Sequence, residues 1–338
     1  MELRTLQPPI KRAFTAVAVM LLLAGCAQAA NQFKLLHAFQ YKPGKFPGAA
    51  LVADSAGNLY GTTSNGINNC GMPQHCGVVF KLTQDSGGKW VYTILHVFKG
   101  PDGGTPFGSL IVDSAGNLYG TTLQGGAYNG GTVFELSPAG NQWNEKVLHS
   151  FGASGDLASP FAAVTFDANR NLYGAAGGGG TNGGGGVFEL TPSGSEWQER
   201  VIHRFTGPDG SGPTCDLLWD SAGNLYGTTQ TGGSSIWGVV FELMPSSGGK
   251  WTESVLYKFT GASDGAFPAG GLIFDAAGNL YGTAQECTGK CLGTVFQLTP
   301  SMGKWSFAVL HAFKGPDGNG PYAGVISDAN GNLSARPR

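Results

Sequence analysis

Histidine recurs at one place in this chain, as His37, His96, His149, His203 and His311, each preceded by Leu or Ile and followed two residues later by Phe. Glutamate recurs at another, as Glu135, Glu189 and Glu242, each inside Val-Phe-Glu-Leu. Histidine can act as a general base or a metal ligand, and a pair of carboxylates can hydrolyse a glycosidic bond. The repetition argues against both. Tyr257 stands in the fifth histidine position, Lys81 and Gln297 stand where glutamate would, and a site used once needs no copy in every unit. Alternation along the Trp143 to Phe151 segment puts His149 on the apolar face with Trp143, Val147 and Phe151, so these histidines read as packed rings. The glutamates read as solvated strand positions.

Cysteine is the second reactive type. Cys70 with Cys76 and Cys287 with Cys291 lie close in sequence, whereas Cys215 stands where other units have Gly108, Ala162 and Gly270. In an exported protein the close pairs read as local disulfides clipping loops, and Cys215 as an unpaired core thiol. His75 beside Cys76 is poor spacing for zinc, so no metal or cofactor is expected. Phosphate-loop and His-Glu-x-x-His motifs do not occur.

The elements that hold these residues come from a stretch reading Asp-x-x-Gly-Asn-Leu, opening at Asp54, Asp113, Asp167, Asp220, Asp275 and Asp328, with Arg170 in the glycine's place in the third copy. The intervals are 59, 54, 53, 55 and 53 residues. A self-similar unit of that length without helical periodicity predicts an all-β fold, a β-propeller of four-stranded antiparallel blades. In the second unit the strands are expected at Gly108 to Asp113, Leu118 to Thr122, Thr132 to Ser137 and Trp143 to Phe151. The repeated Asp accepts backbone N–H bonds and the Gly takes positive φ, which is turn chemistry; a calcium loop would need more oxygen ligands than Ser-Ala supplies. Five complete blades and a composite, incomplete sixth are expected, with Phe33 to Phe39 closing the ring against the C-terminal unit. Residues 31–338 then form one repeat domain, with either an unfinished last blade or a truncated frame.

Composition agrees with tight loops and a lightly charged surface. Glycine numbers 57 of 338, charged residues make up 12%, and the net charge is −2, against about 7% glycine and about 25% charge in an average domain. No basic footprint for nucleic acid exists. Residues 1–30 read as an export signal, with Arg4, Lys11 and Arg12 ahead of an apolar run from Ala13 to Ala24. Leu23-Ala24-Gly25-Cys26 resembles a lipobox, which would place a lipid on Cys26; Ala27-Gln28-Ala29 offers ordinary cleavage as the alternative. The expected product is exported, periplasmic, outer-membrane or extracellular, a monomer that meets a membrane through the lipid alone.

Three motifs recur in one order: Asp-Ser-Ala-Gly-Asn-Leu-Tyr-Gly-Thr-Thr, Gly-Thr-Val-Phe-Glu-Leu and Leu-His-x-Phe. Over about residues 33–333 this combination resembles the GloVer tandem-repeat proteins, bacterial exported proteins whose anchors vary. The resemblance implies a propeller-like exported array and carries over no catalytic residues. Many members bear a C-terminal sorting anchor, to which a lipid at Cys26 would be a different solution.

If identical positions are scaffold, function belongs where the units differ. The loops between second and third strands vary most, and they carry Tyr128 and Trp237. Phe107, Phe161 and Tyr322 follow the prolines that open first strands on the same face. Aromatic rings beside amides and carboxylates suit stacking on sugars, although packing between blades would also account for them. The expected role is a non-catalytic binding or cell-surface module for a glycan or another envelope component. The alternatives are a lyase or glycosidase with its site in the central funnel, or a structural envelope protein.

Overall fold

Each blade is organised by the Asp turn. Asp54 Oδ1 accepts hydrogen bonds from the Ala56 and Asn58 backbone N–H groups, both at 2.9 Å, while Oδ2 accepts from Asn58 Nδ2 at 2.7 Å and from the Tyr60 hydroxyl at 2.9 Å. Asp113, Asp167 and Asp220 repeat all four contacts. One carboxylate thus satisfies the turn and anchors the tyrosine of the next strand, which reverses the chain at a fixed register. These bonds hold the carboxyls of Asp54, Asp113 and Asp220 below the usual range against the opposing effect of burial.

The computed structural model describes residues 35–39, 44–67, 76–289 and 291–336. By its contacts the chain divides into residues 1–38 and 39–338. In the first unit, residues 35–38 carry no strand pairing, and residues 1–30, expected to be an export signal, lie with Cys26 outside the described residues. The second unit is a β-propeller of antiparallel blades with no α-helix among the described residues. Blade 2 shows the plan: Ile111–Val112, Leu118–Thr122, Thr132–Ala139 and Gln142–Ser150 pair in sequence order. The first strand is shorter than the expected Gly108 to Asp113, since residues 106–110 lie outside the sheet. Blades 1, 3, 4 and 5 repeat the meander, and the sixth unit contributes Ile326–Ser327 and Leu333–Ser334.

Blades pack face to face, so third strands are buried on both sides. Val133, Phe134 and Leu136 are all fully buried. The Phe that follows each fourth strand meets the third-strand Phe of the next blade, with ring centroids 5.0 Å apart for Phe98–Phe134, 4.9 Å for Phe151–Phe188, 5.1 Å for Phe205–Phe241 and 5.3 Å for Phe259–Phe296. Phe39 packs edge-on against Phe80 at 5.1 Å in the same manner. The repeated Tyr-Gly serves this packing: a Cβ at Gly120 would stand 2.7 Å from the Phe134 ring and 2.8 Å from Leu110. That glycine clears a ring; it makes no turn.

The glutamates differ from the solvated positions expected. Glu189 is buried, and it accepts the Tyr173 hydroxyl at 2.7 Å and a bond from Arg200 Nε at 2.8 Å. Glu135 and Glu242 accept from Tyr119 and Tyr226 at 3.2 and 2.7 Å. Each sits cross-strand from the tyrosine that the turn Asp also holds, so a carboxylate there completes a hydroxyl's hydrogen bonding.

Candidate functional site

Six axial segments, one from each unit, enclose a cavity of about 690 Å³. Each enters from a proline, and its second residue after the proline is small: Pro47 to Ala50, Pro106 to Ser109, Pro160 to Ala163, Pro213 to Asp216, Pro268 to Gly271 and Pro321 to Gly324. Small side chains are required because neighbouring segments nearly touch. A Cβ at Gly270 would lie 2.5 Å from the Gly324 nitrogen, and one at Gly108 would lie 2.8 Å from the Ala162 carbonyl. Threonine hydroxyls tie the segments together across the seams: Thr121 to the Ala162 carbonyl at 2.8 Å and Thr283 to that of Ala323 at 3.0 Å.

Against this uniform lining a few residues stand out. The Phe107 and Phe161 rings lie 4.3 Å apart at 36°, on adjacent blades, and both face the cavity together with Tyr322. The third residue after the proline is Ala50, Ser109, Ala163, Gly271 and Gly324 in five units and Asp216 in the fourth. Asp216 Oδ1 accepts the Ala163 N–H at 2.7 Å across the blade 3 to blade 4 seam. That seam lacks the axial threonine, since Ala175 stands in its place. Asp216 is open to the cavity yet enclosed by protein on nearly every side, and this confinement raises its pKa, with the Ala163 bond opposing. Arg336 and Thr214 also line the cavity, and the Thr214 hydroxyl is buried without a hydrogen-bond partner. The result is a ring-lined pocket with one carboxylate, one guanidinium and many backbone groups, able to stack a flat apolar face and hydrogen-bond its edge.

Of the five aromatic residues expected to bind ligand, Phe107, Phe161 and Tyr322 therefore come together at the axis, and Tyr128 and Trp237 do not join them. Tyr128 is 60% exposed on its loop. Trp237 is half-buried, its indole edge-on to Phe267 at 5.4 Å and lying where a Gly261 side chain would be. Cys287 and Cys291 are bonded to each other, Cys76 is disulfide-bonded, and Cys70 lies outside the described residues. Cys215 is a free, buried thiol beside the Thr228 backbone; burial pushes its pKa up. Asp216 lies on a repeated axial segment, outside the variable loops where function was expected. Its signal was present: a carboxylate at a position that is Gly, Ala or Ser in every other unit.

His96, His149 and His203 are packed as expected, but each also holds an aspartate, whereas His311 is exposed and pairs with Asp317 at 2.8 Å. His96, His149 and His203 place Nε2 3.0, 3.3 and 3.1 Å from Asp102, Asp156 and Asp209, and each ring lies edge-on to the Phe two residues on. Burial lowers the His203 pKa, with Asp209 opposing.

The family model for the Gloeobacter/Verrucomicrobia repeat matches residues 24–169 and 144–335, nearly the whole chain. No curated protein sequence matches it. Among solved structures, a candidate 6-phosphogluconolactonase from Bacteroides uniformis is similar at 13% identity and a TM-score of 0.56, over 86% of this chain and 78% of that one. A protein from Lactobacillus plantarum is similar at 14% identity and a TM-score of 0.55, over 86% and 83%. Likeness at these identities speaks to the fold alone.

Proposed function

Because the chain belongs to the Gloeobacter/Verrucomicrobia repeat family and its six units enclose one lined cavity, we propose that it is an exported, non-catalytic binding module that takes a carbohydrate at the axis. The observation that carries this reading is the Phe107–Phe161 pair facing the same cavity as Asp216. A sugar ring presents an apolar face of C–H groups to an aromatic ring and a rim of hydroxyls to acceptors and donors. A volume of about 690 Å³ suits a di- or trisaccharide, since pockets for small ligands run from about 300 to 1,000 Å³. Asp216 is the one carboxylate among the lining residues, and two-carboxylate hydrolysis needs a partner within about 10 Å. Export rests on residues 1–30, with Cys26 as the lipid acceptor.

A screen of the tag-free mature protein against an oligosaccharide panel, with product analysis of any hit, tests this reading. The expected result is saturable binding without turnover, weakened at least about tenfold in Phe161→Ala, as loss of an aromatic anchor at a hot spot predicts. Turnover would make the protein an enzyme; binding indifferent to Phe161 would remove the axial site.

A further inference from the structure

A second cluster of chemistry-bearing residues lies away from the axis, where fourth strands of neighbouring blades touch. His149 closes the fourth strand of blade 2, Asp156 follows in the connection to blade 3, and Glu199 projects from the fourth strand of blade 3. One ligand atom from each lies within 4.8 Å of the other two. The Glu199 Oε1 atom is buried and has no hydrogen-bond partner. An uncompensated carboxylate oxygen in such a place is costly unless something completes it.

The other seams serve as internal comparisons. Glu145 and Glu253 occupy the same strand position and also leave Oε1 buried and unpartnered. Yet among the described residues the His149 group alone draws three ligand atoms together. His149 Nε2 and Asp156 Oδ2 stand 3.3 Å apart, and the Glu199 carboxylate completes the group. At the blade 4 to blade 5 seam the cluster is replaced altogether. Tyr257 donates to Asp264 at 2.9 Å and stacks on Phe307, which holds the glutamate's position, with centroids 3.8 Å apart at 8°.

We propose that the seam between blades 2 and 3 is a divalent transition-metal site of the zinc type, with His149 Nε2, Asp156 Oδ2 and Glu199 Oε1 as ligands and water completing the sphere. The donor set fits: imidazole and carboxylate together suit Zn²⁺, and three protein ligands with an open position form a familiar arrangement. The charge fits as well. The charged neighbours of Glu199 are Asp156, His149 and Arg204, so one guanidinium stands against two carboxylates. A bound ion would add a clamp to two blades already joined by apolar packing, the Thr121 to Ala162 bond and the Arg170–Asp113 ion pair, and mass action would raise the melting temperature with metal concentration.

Calorimetric titration of the tag-free mature protein with ZnCl₂ tests the site, with Glu199→Gln, Asp156→Asn and Glu253→Gln compared. Glu253→Gln makes the same chemical change one seam away. The proposal expects one saturable site per chain and a rise in melting temperature with Zn²⁺. It expects affinity to fall at least about tenfold in Glu199→Gln and in Asp156→Asn, because even outer-shell changes cost about 10–100-fold. Glu253→Gln should bind as the parent does. Circular dichroism of each apo variant separates lost binding from lost fold, and either ligand variant alone suffices. Absence of saturable binding, equal affinity in a folded Glu199→Gln, or an equal loss in Glu253→Gln would overturn the assignment.

Discussion

Replacing Glu253 by Gln should stabilise the protein above neutral pH and do little near pH 5. The Glu253 Oε1 atom is buried at the blade 3 to blade 4 seam without a partner. Burial first, and the Asp209 carboxylate second, push its pKa from 4.5 to about 7, with Lys258 opposing. Between those values the folded state holds a proton that the unfolded chain has released, so stability falls as pH rises through the window. A rise of that size corresponds to roughly 3 kcal/mol. Glu253 is only about half buried, and solvent screening reduces the effect to about 1–2 kcal/mol once pH exceeds 7. Gln keeps the shape, removes the charge, and leaves an unpartnered amide whose desolvation cost does not vary with pH. Urea denaturation of parent and variant at about pH 5 and about pH 8 gives the difference directly. The variant's advantage should grow by about 1–2 kcal/mol between them. A difference independent of pH, or one of opposite sign, would refute the argument that an ionised carboxylate sits uncompensated in that seam.

Other outcomes follow from the packing and the chain chemistry. Phe134→Ala empties a fully buried inter-blade position and should cost about 3–5 kcal/mol in urea denaturation. Gly120→Ala places a Cβ 2.7 Å from the same ring and should cost about 1–3 kcal/mol through overpacking, a penalty that Phe134→Leu in the same chain should partly relieve. Reducing Cys287–Cys291, which spans a sequence separation of 4, should lower stability by roughly 2 kcal/mol at most, read as a shift in the urea midpoint. Intact mass of protein from the native host should show an acylated Cys26 at the N-terminus; an unmodified N-terminus at Ala30 would leave simple secretion.

What the sequence disclosed follows the range of the interactions concerned. The blade was legible because its turn is local: Asp54 binds Ala56, Asn58 and Tyr60 within one heptapeptide, and such chemistry can be read from a short string of sequence. The packed histidines were legible from alternation. Their aspartate partners were not, since Asp156 lies in a connecting loop where aspartate is commonplace. Glu189 was misjudged because strand alternation assigns a face but does not say that another blade covers it. The axial site was half legible. Phe107, Phe161 and Tyr322 were identified as rings beside prolines, but only the curvature of the whole array brings them to one cavity and separates them from Tyr128 and Trp237. The blade 2 to blade 3 cluster joins residues up to 50 positions apart on different units, and no local pattern marks it.

The central claim, that ligand enters at the axis, is tested most directly by a crystal structure of the mature protein with the best oligosaccharide from the screen. The account predicts a sugar ring against the Phe107–Phe161 pair with a hydroxyl bonded to Asp216. A sugar seated on the outer loops at Tyr128 or Trp237, with the axial cavity holding only water, would contradict it.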